Sequence, residues 1–314
     1  MRPVAGAGAV IAVDLGGTSI KGAVVDRDGR LLHESRRPTG AQRGPQAVVS
    51  ELIGLITELR ERERSALAVG VVVPGVVDAA AGVARFAANV GFRELALREL
   101  LEGALGLPVV LDHDVRAAGV AERAVGASAN AEDCFMAVIG TGIAAVITAA
   151  GRELRGATLT AGEFGHIPVW PDGEPCACGQ RGCLERYASA ASIARNYAQL
   201  RGLEEVSAGE VASLRHSDPD AARVWAQGAQ ALAIGLATAT MLLDPGLIVL
   251  AGGLSEAGEA LRAPVADELA RRVRWREPPP VVLSRLGGRA GLVGAAVLTW
   301  RSLGLEDLSS WARA

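Results

Sequence analysis

Apolar positions recur along this chain with two periods, and the alternation between them marks out its elements. Residues 10–13 form an unbroken apolar run, mostly β-branched, that predicts a buried strand. The turn Asp14-Leu15-Gly16-Gly17-Thr18 follows, and residues 20–25 resume the apolar run as a second strand. Asp26-Arg27-Asp28-Gly29 reads as a hairpin turn with glycine where positive φ is wanted, so residues 31–37 become a third, antiparallel strand. Residues 46–64 mix apolar and charged side chains at helical spacing and predict an amphipathic helix. A strand at 67–73 is stopped by Pro74-Gly75, and 76–79 with 82–86 read as a short hairpin. Asn89 falls in a loop, 93–105 reads as a helix and 108–111 as a strand. Asp112-His113-Asp114 ends that strand and opens a helix to about residue 125.

The second half starts on the same plan. A strand at 135–139 enters Gly140-Thr141-Gly142, a second strand covers 143–149, and a turn follows at Ala150-Gly151. Further on the pattern predicts a helix at 184–201, a polar linker at 202–218 and helices over 221–243. A buried strand at 247–250 runs into Ala251-Gly252-Gly253-Leu254-Ser255, and a helix at 264–274, a strand at 281–283 and a helix at 291–303 complete the chain. Two similar glycine-threonine turns in two halves suggest a clamp around one nucleotide, because glycine lets backbone N–H groups approach a phosphate. Asp14 at a strand end can orient a magnesium ion or its water. Either turn alone is also satisfied as a tight hairpin with Asp and Thr caps. Neither has Rossmann or P-loop spacing.

Composition narrows the class. At 314 residues, half of them apolar, the chain can build two domains without cross-links. A net charge of −3 with scattered arginines excludes a basic nucleic-acid face or a membrane-binding stripe. The first thirteen residues superficially resemble a signal peptide, but Asp14 and the glycine turn interrupt the run, which reads as a first strand. The apolar segment at 228–243 is short for a membrane span and reads as a core helix, so a soluble cytoplasmic protein is expected.

The stretch from 162 to 185, GEFGHIPVWPDGEPCACGQRGCLE, has too many glycines and prolines for a helix or strand of ordinary length. Three of the four cysteines, Cys176, Cys178 and Cys183, lie in it, ten residues or more after His166. Such clustering points to metal rather than disulfides, and Cys3His is a standard closed zinc site. Without a cross-link the stretch would be a floppy loop; with one it is a rigid knuckle holding the carboxylates Glu163 and Glu185. Cys134, in an apolar strand, reads as a buried inert thiol. A carboxylate such as Asp114, where a strand meets a helix N-terminus, is favoured in its charged form and can act as a base or simply as an N-cap.

Taken together, DLGGT at 14–18, PG at 74–75, GTG at 140–142, GEFGH at 162–166, CxCGxxGCLE at 176–185 and AGG at 251–253 resemble the ROK family of bacterial sugar kinases and repressors, within the sugar kinase/Hsp70/actin superfamily. The resemblance covers the chain from residue 10 onward, and the cysteine signature is its most specific part. It implies an α/β fold of two actin-like (ribonuclease H-like) domains with mixed sheets and an interdomain cleft: residues 1–114 with 291–314 as the smaller, 115–290 as the larger with the zinc-binding loop. It also implies ATP phosphates at Asp14, Gly16, Gly17, Thr18 and Lys21 and at Gly140, Thr141 and Gly142, with adenosine near Gly252, Gly253 and Leu254. Asp114 matches the catalytic base; Gly75, Asn89, His113, Glu163, His166 and Glu185 match sugar-binding positions. His166, Cys176, Cys178 and Cys183 match the structural zinc ligands, and magnesium accompanies ATP.

Two departures stand out. His113 replaces the asparagine that usually precedes the base and contacts the sugar, which leaves sugar preference open. Ala144, Ala145 and Val146 replace further glycines, and their methyl groups either narrow the approach to the phosphates or pack a strand. The leading expectation is an ATP-dependent hexose kinase acting on a 6-hydroxyl, glucose first, then mannose, N-acetylated hexosamines, fructose or a cyclitol. A repressor would need a helix-turn-helix where nine residues precede the first strand, and a non-catalytic sensor is set against the retained Asp14, Asp114 and Glu163. Homodimers are usual in the family, so a homodimer or dimer of dimers is expected, and no nucleic-acid or membrane partner is expected for this chain.

Overall fold

The long apolar runs become strands and the mixed runs become the helices that cover them. In the computed structural model, which describes residues 8–308, 310 and 311, the chain begins with β1 (Ala9–Leu15), β2 (Ser19–Asp26), β3 (Leu31–Pro38), α1 (Pro45–Arg62) and β4 (Ala66–Val73). Residues 1–7, part of the segment likened to a signal peptide, lie outside that description. Next come β5 (Val76–Asp78), β6 (Val83–Ala87), β7 (Phe92–Leu95), α2 (Leu97–Leu105), β8 (Val109–His113) and α3 (Asp114–Val125). The second half contains β9 (Cys134–Ile139), β10 (Ile143–Ala149), β11 (Arg152–Glu153), α4 (Glu185–Ala188), α5 (Ala190–Arg201), α6 (Ala208–Leu214) and α7 (Pro219–Leu243). It closes with β12 (Leu247–Ala251), α8 (Glu259–Arg272), β13 (Val281–Leu283) and α9 (Ala290–Ser302).

Two units divide these elements: Met1–Ala129 with Arg289–Ala314, and Asn130–Gly288. In the first, the sheet order is β3-β2-β1-β4-β8. Pairs β2–β3 and β1–β2 are antiparallel, and β1–β4 and β4–β8 are parallel. In the second, the order is β11-β10-β9-β12-β13, and the sequence of two antiparallel and two parallel pairs is the same. The repeat visible in the two glycine turns therefore extends across both whole sheets. A small antiparallel sheet, β5-β6-β7, is added to the first unit.

Strand alternation sets each core. Ile11 and Val13 of β1 join Leu52, Leu55 and Leu59 of α1 on one face. Val10 and Ala12 join Ala117 of α3 and Ala296 and Trp300 of α9 on the other. In the second unit Phe135, Ala137 and Ile139 pack with Leu232 and Leu236 of α7. That 25-residue helix is long and apolar enough to cross a membrane, yet 56% of its apolar window is buried in this core.

The structure moves several boundaries. The units part at 129/130 and 288/289 instead of 114/115 and 290/291, because α3 packs along α9 and belongs with the first sheet. Residues 93–95 are strand rather than helix: Arg93 pairs with Phe86 and Leu95 with Ala84. The helix expected over 184–201 breaks at Ser189, whose extended backbone (φ −69°, ψ 153°) and Oγ cap α5 at the Ser192 N–H. Within the expected linker, Ser207 and Glu210 form a capping box that starts α6. The region over 221–243 is one helix, and α8 begins at Glu259, ahead of Pro264. Proline at 264 cannot donate to the Ala260 carbonyl, and the Trp225 indole N–H fills that place at 2.8 Å.

Candidate active site

In the first unit the turn after β1 is closed by Gly16 N–H donating to the Ser19 carbonyl at 3.0 Å. The Thr39 hydroxyl donates to the Gly16 carbonyl at 2.6 Å, and its N–H to the Thr18 carbonyl at 3.0 Å, so β3 braces the turn from behind. Gly17 lies against Asn89: a Cβ there would sit 3.4 Å from the asparagine Cβ. Asn89 itself is in a 3-10 turn, Ala88–Val90, rather than an open loop. Gly75, at φ +91°, lies against the backbone of Phe86 and Ala87 just before that turn.

Asp14 is directly opposite Lys21 in the β1–β2 register, and Lys21 is the only lysine in the sequence. The start of α9 lies over the Asp14 carboxylate, so near that a Cβ on Gly291 would be 3.0 Å from Oδ2. Only a residue without a side chain lets the helix N-terminus approach so closely, and that end carries partial positive charge. Burial, and then the charge of Asp114, push the Asp14 carboxyl up to about 6, with Lys21 pulling the other way. Burial likewise raises Asp114 to about 6, opposed by the Val115 N–H and the Arg116 charge. The Asp114 charge thus reaches the Asp14 carboxylate and works against its ionisation.

Asp114 is the first residue of α3, its side chain 29% exposed, and its Oδ1 accepts from Val115 N–H at 2.7 Å. His113 Nε2 lies 3.1 Å from the same oxygen. Beneath them is a pair the sequence reading did not single out. Buried Asp112 accepts from Arg116 Nε at 2.8 Å and from the His113 N–H at 2.7 Å. Arg116 continues to the Val77 carbonyl at 2.9 Å and so ties the start of α3 to β5. The i, i+4 spacing of Asp112 and Arg116 was the available signal.

In the second unit the Gly140–Gly142 turn is closed by Gly140 N–H on the Gly142 carbonyl at 2.9 Å. Its remaining supports come from elsewhere: the Ala190 N–H donates to the Gly140 carbonyl at 2.9 Å, and the Ile143 N–H to Glu185 Oε2 at 2.8 Å. Glu185 presses so closely that a Cβ on Gly142 would be 2.6 Å from Oε2. Thr141 is exposed at the tip. Ala144, Ala145 and Val146 pair with β9, and Ala145 and Val146 are buried, so these methyl groups pack a strand.

Glu163 precedes and His166 ends the 3-10 turn Phe164–His166, with His166 Nε2 4.0 Å from Glu163 Oε2. The loop beyond is ordered by its own backbone, with bridges Pro168–Cys183 and Pro175–Arg181, and by Trp170 edge-on to Tyr187 at 4.4 Å. It is thus not dependent on a cross-link alone. Ligand atoms of His166, Cys176, Cys178 and Cys183 all lie within 4.8 Å of one another, a donor set and spacing that fit a tetrahedral zinc ion. Burial, with the neighbouring thiols, pushes Cys183 up to about 12, so without a cation its sulfur stays protonated, whereas a metal ligand must be the thiolate.

Gly252, Gly253 and Leu254 follow β12. Beside them is a cavity of about 530 Å³ lined by Ala190, Gly209, Arg215, Gly253, Leu254 and Glu256. Ala190, whose N–H holds the Gly140 carbonyl, also lines this cavity, so the cavity adjoins the second turn. Arg215 and α6 lie in the stretch that the sequence pattern presents as a polar linker, and Glu256 lies one residue beyond the glycine turn that the pattern marks.

The chain matches the ROK family over residues 10–302, and it belongs to that family. It is 32% identical over 312 residues to the glucokinase of Streptomyces coelicolor, covering 93% of this chain and 97% of that protein. Among solved structures it resembles the ROK hexokinase of Thermus thermophilus, at 34% identity and a TM-score of 0.80 over 94% of this chain and 99% of that one. It also resembles an ROK glucokinase of Streptomyces griseus in complex with glucose and AMPPNP, at 32% identity and a TM-score of 0.83 over 92% and 98% of the two chains.

Proposed function

We propose that this sugar kinase transfers the γ-phosphoryl group of ATP to the 6-hydroxyl of a hexose, glucose first. The carrying observation is Asp114, a carboxylate at a strand–helix junction within electrostatic reach of Asp14 at the glycine turn. Asp114 takes the hydroxyl proton as the sugar oxygen attacks, and Arg116 with Asp112 fixes its direction. Gly16, Gly17, Thr18 and Lys21, with Gly140, Thr141 and Gly142, cradle the phosphates, and Asp14 orients the magnesium ion of Mg-ATP. Adenosine occupies the cavity at Gly253 and Leu254. Asn89, Glu163, His166 and Glu185 read the sugar hydroxyls, since carboxylate oxygens accept two hydrogen bonds each. Zinc, when bound by His166, Cys176, Cys178 and Cys183, supplies structure rather than chemistry. Following the family's habit, we place the enzyme in the cytoplasm as a homodimer or dimer of dimers.

The test is coupled ADP release on a panel of hexoses and cyclitols; background rates with every acceptor would end the kinase reading. A second acceptor class, another sugar or a cyclitol, is favoured by His113 beside the base. In that case His113→Asn shifts the preference toward glucose, measured as kcat/KM ratios across the same panel.

A further inference from the structure

The second unit contains another cavity, of about 750 Å³, whose wall includes none of the residues assigned above to sugar, nucleotide or metal. It opens among α4, α5, α7 and α8, with Arg186, Asn196, Gln199, Arg223, Gln227 and Gln230 in its wall. Arg186 follows Glu185 directly on the four-residue α4, and Arg195 lies against it. The Arg195 guanidinium donates to Ser192 Oγ at 2.9 Å and reaches the Arg186 carbonyl at 3.5 Å. Among the described residues no carboxylate forms an ion pair with either arginine, and both Nε atoms are buried without a partner. Burial, then the charge of Arg186, hold Arg195 below the usual guanidinium range, with Glu174 and Glu185 acting the other way. Two guanidiniums kept together without a pairing carboxylate are costly unless an anion bridges them. Two carboxylates share the wall: Glu268 is already neutralised by Arg271 and Arg272, and Glu174 forms no ion pair with Arg186 or Arg195. The four amides both donate and accept, which suits hydroxyl groups.

We propose that this cavity is a binding site for a small hydroxylated organic phosphate, with the phosphate on Arg186 and the hydroxyls on the amides of α5 and α7. A hexose phosphate released by the enzyme and one from another source share that chemistry. Occupancy reaches the catalytic end along α4: Arg186 moves with Glu185, and Glu185 supports the second glycine turn. The inference does not require the kinase reading, because the cavity and its arginines are independent of Asp114.

Titration calorimetry on the full chain, saturated with AMPPNP and glucose to fill the active site, tests it. Glucose 6-phosphate, fructose 6-phosphate, inorganic phosphate and free glucose are the probes. The expected result is one site for a hexose phosphate, at least tenfold tighter than for inorganic phosphate or glucose, weakened tenfold or more in Arg186→Gln. Arg186→Lys, which keeps the charge, retains partial affinity and guards against misfolding of the first variant. Preference between the two hexose phosphates tells whether the enzyme's own product is the occupant. Unchanged binding in Arg186→Gln, or equal weak binding of all anions, overturns the proposal. Turnover in the same preparations stands separately: active enzyme without this site sinks only this inference.

Discussion

The two glycine turns share a backbone plan but not a way of being held. The first, after β1, carries its own charge: Asp14 ends one strand and Lys21 faces it from the next, with α9 laid over the carboxylate. The second, after β9, has no ionisable residue of its own and is propped from outside by Glu185 and by the start of α5. One sheet plan, used twice, thus has an electrostatic end and a supported end. The difference teaches where each is fragile. Damage to the first should change chemistry and pH dependence, while damage to the second can come from residues forty positions away along the chain.

The largest expected effect lies on the electrostatic end. Asp114→Asn should lower turnover by about 10²–10⁴-fold, the usual worth of a general base, while calorimetric sugar affinity stays near wild type. Full activity in that variant would remove Asp114 as base. On the supported end, Cys178→Ser should lose zinc and at least tenfold in activity together, read by metal analysis and turnover on one sample. Zinc-free wild type with full activity would contradict the role assigned to the loop.

A third outcome concerns pH. With Asp14 and Asp114 both raised to about 6 and both needed ionised, kcat/KM should fall by up to about a hundredfold per unit below roughly pH 6 rather than below 4. The same shifts act oppositely on stability: the folded state holds these protons more tightly than the unfolded chain. Their contribution is therefore fully present below the unfolded value of 3.8 and is lost as pH rises through about 6. An acid limb near pH 4 would show that the pair is not part of the turnover step. Fourth, Glu185→Gln removes the charge from the bond to the Ile143 N–H and should weaken AMPPNP binding about tenfold, some 1.5 kcal/mol. The smallest effect is expected at Ala144→Gly, about 0.5–1 kcal/mol of stability in chemical denaturation and no gain in nucleotide affinity. A clear gain would mean that the methyl group does narrow the phosphate approach.

Much of the fold was legible because buried strands and breaker-rich loops leave strong local patterns. The runs at 10–13, 20–25 and 135–139 fell inside real strands, and the four metal-type ligands gathered as their spacing implied. What escaped depended on distant partners or on short segments. Phe92-Arg93-Glu94-Leu95 fits either period, and only pairing with β6 decides it. The Ser207–Glu210 capping box was written in the sequence but was hidden by its polar surroundings. Pro264 reads as a helix start, since nothing nearby announces that Trp225, 35 residues before Ala260, completes the turn. At the site, Gly291 over Asp14 and Arg116 beneath Asp114 are products of the chain's return and of burial, which periodicity does not encode.

One further consequence follows from Lys21. Lys21 is the one lysine among 32 lysines and arginines, so an amine-directed reagent meets a single side-chain target in the whole sequence, on the strand leaving the first glycine turn. Covalent labelling, usually a diffuse readout spread over many surface lysines, here reduces to one yes-or-no mark beside Asp14. The chain carries its own reporter for whatever covers that turn.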